Sequence, residues 1–258
     1  MPFSWQEDVF ECVECPAKSA SFNYSTRVVL KLLRKKEVIT MRIYVDMDDV
    51  LCETARAFVS IVERMFDKHV PYEQVKFFDL DKSFGLDDNQ FEMMMIEGHL
   101  PEVLLSYKET LGASETINKW IDVGNEVNII TGRPYSAYEP SRRWLDEHNL
   151  KRVKLYCLNK YGRDAFIKNS DFSLEMDEFM QMRFDFAVED SPKAFKHLAH
   201  LTNCKVAVFD RPWNKNVIFP SENYVRCFDW KEVDQQFRAL MEPDIQPQEI
   251  PCKGLGII

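Results

Sequence analysis

Apolar residues in this chain gather in short, mostly unbroken runs. Five of them read as strands: RIYVD (42–46), EVNIIT (126–131), VKLYCL (153–158), FDFAVED (184–190) and CKVAVFD (204–210). Each is rich in Val, Ile, Tyr or Phe and lacks clean alternation, which suits strands covered on both faces, as in a parallel sheet. Between them the apolar spacing becomes helical. SETINKWIDVG places Ile117, Trp120 and Ile121 on one face, with Ser114 as the expected N-cap and Gly124 as the stop. EPSRRWLDEHNL follows the second strand. SPKAFKHLAHL starts with Ser191 as N-cap and Pro192 at the first helical position, and its apolar face is Ala194, Phe195, Leu198 and Leu201. Strands alternating with helices predict an α/β fold built on a doubly wound parallel sheet.

The stretch between Asp46 and Glu126 is too long for one crossover helix. It holds a helical run, ARAFVSIVERMF, then KFFDL, an acidic turn LDDNQ, and a Met-rich helix, QFEMMMIEGHL. This predicts a small, mainly helical cap over residues 57–112, inserted after the first strand. The α/β core then occupies 41–56 and 113–240. The Met and Phe stripe reads as core of the cap, since Met fills irregular apolar gaps. Residues 1–40 precede this scheme as an N-terminal extension, and the proline-bearing residues 241–258 read as a loose tail.

Composition narrows the partners. The 258 residues suffice for one large domain or a domain with a modest insert, and 45% hydrophobic content supports a sizeable core. A net charge of −9 and a pI near 5.2 disfavour binding to a nucleic-acid polymer through a basic surface. Acidity does not exclude a small phosphorylated substrate, because a bound cation inverts the local field. Seven scattered cysteines, an odd count, fit a reduced, cytoplasmic compartment. Cys12 and Cys15 form a C-x-x-C without a second ligand pair, and the basic run RVVLKLLRKK reads as a solvated helix. No window reaches the roughly 18 apolar residues of a membrane span. Oligomeric state leaves no signal in the sequence.

The chemistry gathers at the strand ends. In an open parallel sheet ligands bind beyond the carboxyl ends of the strands, where strand order reverses. Here the first strand delivers Asp46 and, two residues on, Asp48; the second delivers Thr131, Gly132 and Arg133; the third ends before Asn159 and Lys160; the fourth delivers Glu189 and Asp190 ahead of a capped helix. Carboxylates from two strands repel unless a cation lies between them. An oxygen-only donor set favours Mg²⁺. A hydroxyl and an ammonium nearby suit a phosphoryl group. Singly, each feature has a plainer reading: an acidic turn, a Gly-Pro loop in TGRP, a helix N-cap in EDSP. Their order on successive strand ends is what points to chemistry.

Taken together, DMDDVLCET, IITGRP, the lysine after the third strand and AVEDSP resemble the four motifs of the haloacid dehalogenase-like (HAD) hydrolase superfamily, over residues 42–215. The D-x-D-x-V-L form and the short cap are most similar to its 5′(3′)-deoxyribonucleotidase-like group. The resemblance implies a HAD-like, Rossmann-like fold and a Mg²⁺-dependent phosphatase working through an aspartyl-phosphate. Asp46 would be the nucleophile, and Asp48 would protonate the leaving oxygen and then activate water. Thr131 would hydrogen-bond the phosphoryl oxygens, and Lys160 would stabilise the charged intermediate. Asp46, Asp190 and the backbone carbonyl of Asp48 would hold Mg²⁺, with Glu189 as a ligand or its neighbour. Two departures stand out: Asp49 replaces a glycine frequent after D-x-D, and Lys168 rivals Lys160, which is preferred because it directly follows the strand. DRPWN (210–214) is either a pocket loop or a structural turn.

The expected function is hydrolysis of a small phosphomonoester, such as a nucleotide, with Phe77 and Phe78 closing over it. Two alternatives stay open: a non-catalytic phosphate- and metal-binding module of the same fold, and a dehalogenase. Dehalogenation needs neither the second carboxylate nor Mg²⁺, so Asp48 and Asp190 disfavour it.

Overall fold

The computed structural model describes residues 40–162, 171–201 and 203–241. Seven strands form one sheet: β1 (Arg42–Val45), β2 (Glu126–Thr131), β3 (Lys154–Leu158), β4 (Ser173–Leu174), β5 (Phe186–Glu189), β6 (Lys205–Phe209) and β7 (Tyr224–Cys227). Their order is β4-β3-β2-β1-β5-β6-β7, and every pairing is parallel. The chain builds outward from β1 to one edge, then returns to β5 on its other side. Strand order therefore reverses at β1, the point where an open α/β sheet forms its crevice.

Unbroken apolar runs follow from burial on both faces. On β1, Ile43 and Val45 join a core with Ile129, Trp144, Phe186 and Trp230, whereas Tyr44 points to the opposite core with Ile130, Phe179 and Phe195. Successive side chains of a strand alternate faces, so both faces must be apolar here. Helices Ala113–Asp122, Tyr138–Glu147 and Trp230–Met241 contribute Trp120, Trp144, Trp230 and Phe237 to the first core. Helices Met176–Gln181 and Pro192–Leu198 contribute Phe179, Phe195 and Leu198 to the second.

All five expected strands are present, and two more complete the sheet. β4 has only two residues, and β7 (YVRC) breaks its apolar run with Arg226. The expected cap at Ser191 is present, its Oγ accepting from the Ala194 N–H at 3.4 Å. Ser114 is not an N-cap. That helix begins one residue earlier, behind Gly112 at φ +86°, and the Ser114 N–H donates to Glu109 Oε1 at 2.7 Å.

Between β1 and helix Ala113–Asp122 lie helices Thr54–Phe66, Leu80–Phe84, Asp88–Gly98 and Pro101–Ser106. The first three enclose an apolar cluster of their own, with Phe58, Val62, Phe84 and Met94 buried in it. Asp87 caps Asp88–Gly98, accepting from the Gln90 N–H at 2.8 Å while Gln90 Oε1 accepts from the Asp87 N–H. Residues 1–39, with the Cys12/Cys15 pair and the basic run, lie outside the described residues, as do Lys168 and the tail beyond Met241. Among the described residues no helix is long and apolar enough to cross a membrane.

Candidate active site

Asp46 extends the β1 ladder by one bond, its N–H donating to Val188 O at 3.0 Å, and there the strand opens into the crevice. Lys160, two residues beyond β3, reaches back across β2 to meet it. Its Nζ lies 2.6 Å from Asp46 Oδ1, 3.2 Å from Glu189 Oε2 and 2.6 Å from Tyr44 Oη. Tyr44 Oη in turn donates to Glu189 Oε2. All four side chains are buried. Glu189 Oε1 accepts from the N–H groups of Asp190 and Ser191, both at 3.0 Å, so its two oxygens face opposite duties.

Asp46, Glu189 and Asp190 each offer an oxygen within 4.8 Å of the others. Burial raises the Asp46 carboxyl to about 8, Glu189 adds to this, and Lys160 opposes it. Burial, then Glu189 and Asp46, likewise push Asp190 well above the usual carboxylate range. Fully ionised, three buried carboxylates against one ammonium carry two surplus negative charges, and burial together with that repulsion raises Asp46 and Asp190. An all-oxygen donor set with that surplus fits a hard divalent cation of the Mg²⁺ type. Asp190 is held from behind by the loop after β6: Trp213 Nε1 donates to its Oδ2 at 2.8 Å, and Asn214 Nδ2 donates to its carbonyl at 2.8 Å.

Asp48 turns the other way. Its Oδ1 accepts from Thr54 Oγ1 at 2.6 Å and from Arg133 Nη2 at 2.6 Å, and Thr131 Oγ1 lies 3.3 Å from its Oδ2. Burial alone would raise this carboxyl, but Arg133 and Thr54 outweigh it and hold it at about 2. Arg133 has Nη1 on Ser141 Oγ at 2.9 Å and lies over the Tyr107 ring, while its N–H donates to Thr131 Oγ1 at 3.1 Å. Gly132 between them has a packing reason: a Cβ there would fall 2.5 Å from the Tyr161 ring. Asp49 occupies the left-handed region at φ +59° that glycine favours. Its carboxylate accepts from the Ala55 N–H at 2.9 Å, capping helix Thr54–Phe66 from outside.

Asp46, Asp48, Asp49, Gly132, Arg133 and Asp190 form one end of a cavity of about 430 Å³. Its other walls come from the helical segment, with Phe58, Phe78, Phe91 and Met95, and from Trp213 and Tyr161. Phe78 lines the cavity as expected, whereas Phe77, expected to close over the substrate with it, is 55% exposed. Asp46, Asp48, Lys160, Thr131, Glu189 and Asp190 are thus brought together, and Arg133 joins them through Asp48. Tyr44 is an addition, while Trp213 and Asn214 belong to DRPWN, the loop left open in the sequence between pocket and turn. Tyr44 stands two residues before Asp46, so the strand period places both on one side, a signal hidden by its ordinary look as a strand residue.

Known proteins extend the same picture. Among solved structures, one described as a predicted phosphatase from Clostridium acetobutylicum superposes with a TM-score of 0.51 at 12% identity, covering 78% of this chain and 99% of that one. A haloacid dehalogenase-like hydrolase from Streptococcus pneumoniae gives 0.53 at 10% identity, covering 77% and 98%. At such identities the likeness shows the fold. Two sequence relatives, from Oceanobacillus iheyensis and Halalkalibacterium halodurans, carry names that assign them provisionally as nucleotidases. Each is 24% identical over 74% of this chain, covering 96% and 89% of the relative. The family model described as 5′ nucleotidase, deoxy (Pyrimidine), cytosolic type C protein matches residues 40–241, and the chain belongs to that family of phosphomonoester hydrolases, a nucleotidase branch of the HAD superfamily.

Proposed function

We propose that this chain is a Mg²⁺-dependent phosphatase of small phosphomonoesters, nucleotides foremost, working through an aspartyl-phosphate on Asp46. The observation that supports it most is the buried Lys160–Asp46–Glu189–Asp190 group, whose Asp46 and Asp190 line the cavity. An Asp46 oxygen attacks phosphorus in line with the leaving oxygen. Lys160 and Thr131 stabilise the phosphoryl oxygens, and Gly132 lets the chain pass close to them. Asp46, Asp190, the Asp48 carbonyl and Glu189 would hold Mg²⁺, which supplies charge neutralisation for the phosphoryl group.

Asp48 carries the protons. Clamped by Arg133 it is a carboxylate, suited to activating water against the aspartyl-phosphate. A dianionic phosphoryl group entering beside it repels that carboxylate and competes for Arg133. Both effects raise its affinity for the proton it must give the leaving oxygen. Residues 57–112 act as the cap, whose apolar walls exclude water from the intermediate. The buried, unpaired thiols of Cys52, Cys157, Cys204 and Cys227 fit a reducing, cytoplasmic setting.

The test is phosphate release from a panel of nucleoside monophosphates and sugar phosphates, with Mg²⁺ and with chelator. Release by the wild type and none by Asp46→Asn is expected. Absence of release from the wild type, or equal release from Asp46→Asn, overturns the reading; binding without release would favour a non-catalytic module.

A further inference from the structure

Trp213 belongs to two neighbourhoods at once. Its Nε1–H donates to Asp190 Oδ2 at 2.8 Å, deep in the carboxylate group. Its ring is a member of the apolar cluster enclosed by the helical segment, with Phe58, Val62, Phe84 and Met94. It also meets the ring of Tyr72 edge-on, at 6.3 Å between centroids and 82° between planes, and Arg56 lies over that ring at 3.8 Å. Among the described residues, Trp213 is the side chain that the loops after β2, β3, β5 and β6 contribute to that cluster.

The loop that carries the indole is fastened on the sheet side. Asn214 Nδ2 donates to the carbonyls of Asp190 and Phe209, both at 2.8 Å. Arg226 Nη1 donates to Asp210 Oδ1 at 2.7 Å and Asn214 Oδ1 at 2.8 Å. The loop's backbone is therefore fixed to the core. The indole itself, by contrast, packs against the helical segment. An N–H held rigidly on one carboxylate oxygen fixes the rotamer and leaves the other oxygen for a ligand.

We propose that Trp213 is a positioning residue that couples the seating of the helical segment to the orientation of Asp190, so that cation affinity depends on how that segment packs. The inference rests on the proposed role of Asp190 as a cation ligand. It gives a reason for DRPWN beyond a turn: the loop ties substrate enclosure to the charge that receives the phosphate. A segment displaced by a poorly fitting ligand tilts the indole, and Asp190 loses its donor.

The experiment is calorimetric titration of Mg²⁺ into the full-length protein without substrate, with melting curves as a folding control. The wild type should bind and Asp190→Asn should not. Trp213→Phe keeps a ring in the apolar cluster but removes the N–H, and should weaken binding roughly 10-fold. Tyr72→Ala leaves Asp190 and Trp213 in place yet frees the indole, and should weaken binding by a smaller factor. The double variant should resemble Trp213→Phe alone, because both act through one contact. Wild-type affinity in Trp213→Phe, or losses that simply multiply in the double variant, overturns the coupling. Should Trp213→Phe not fold, unchanged affinity in Tyr72→Ala overturns it instead. Equal binding by Asp190→Asn and wild type is a different failure, that of the cation-ligand reading itself.

Discussion

Arg133 grips Asp48 with two nitrogens, Nη2 at 2.6 Å from Oδ1 and Nε at 3.1 Å from both carboxylate oxygens. The guanidinium side chain is 2% exposed and the carboxylate side chain 28%. Such a pair lies between the surface and buried limits, so Arg133→Ala should cost about 2 kcal/mol in urea unfolding. Asp48 sits at about 2 in the folded protein, below its ordinary value. Its pairing therefore stabilises the fold above the unfolded pKa and is lost as pH falls toward 2. In Arg133→Ala the carboxyl returns upward, and the acid limb of kcat/KM against pH should move to higher pH. An acid limb that stays in place would show that Arg133 does not govern Asp48.

The surplus of two negative charges that Asp46, Glu189, Asp190 and Lys160 carry when fully ionised makes a thermal prediction. A cation that binds only the folded state at 100 times its Kd adds about 2.7 kcal/mol. For a domain of this size that amounts to a rise of roughly 5–10 °C in Tm. Differential scanning calorimetry with Mg²⁺ and then with chelator should reveal it, and Asp190→Asn should lose most of the rise. Identical melting in Mg²⁺ and chelator would remove the cation from the site.

Tyr44 fixes Lys160 and Glu189 together through one hydroxyl. Tyr44→Phe keeps the ring against Phe179 and Phe184 but leaves the ammonium with two partners. A hydrogen bond to a charged group contributes about 1.5–3 kcal/mol, so kcat should fall at least roughly 10-fold while KM changes little. Steady-state kinetics decide it. An unchanged kcat would reduce Tyr44 to a core residue.

What the sequence made legible, and what it hid, divides along physical lines. Parallel strands covered on both faces appear as apolar runs, and the polar residues that end them stand out. Asp46, Thr131, Glu189 and Asp190 could be read for that reason. Tyr44 could not, because a tyrosine in a strand looks like any β-former, and its partners lie 116 and 145 residues away. Arg133 could be read at the second strand end as a substrate-binding residue beside Thr131 and Gly132, but only the fold brings it 85 residues back to Asp48. β7 was hidden by Arg226, whose charge serves Asp210 rather than the sheet. Ser114 misled because a preferred cap residue stood one position inside a helix that Gly112 starts.

Asp49, the acid that the chemistry does not use, has a structural reason that can be tested. A non-glycine residue in the left-handed region costs roughly 1–2 kcal/mol, and capping recovers about the same. Asparagine tolerates that region and keeps the acceptor for the Ala55 N–H, whereas alanine keeps the strain and loses the cap. Asp49→Ala should therefore lose about 1–2 kcal/mol, and Asp49→Asn should not. The pH dependence separates the two acids of the motif. Burial raises Asp49 to about 7, opposed by Arg211. Its ionised form is thus disfavoured in the fold, and the stability it permits below the unfolded pKa declines as pH climbs toward 7. Asp49→Asn removes that decline, so its advantage over the wild type should grow between pH 4.5 and 7.5 in urea unfolding. Parallel stability curves for the two proteins across that interval would mean that the Asp49 carboxylate is solvated rather than buried against the helix it caps.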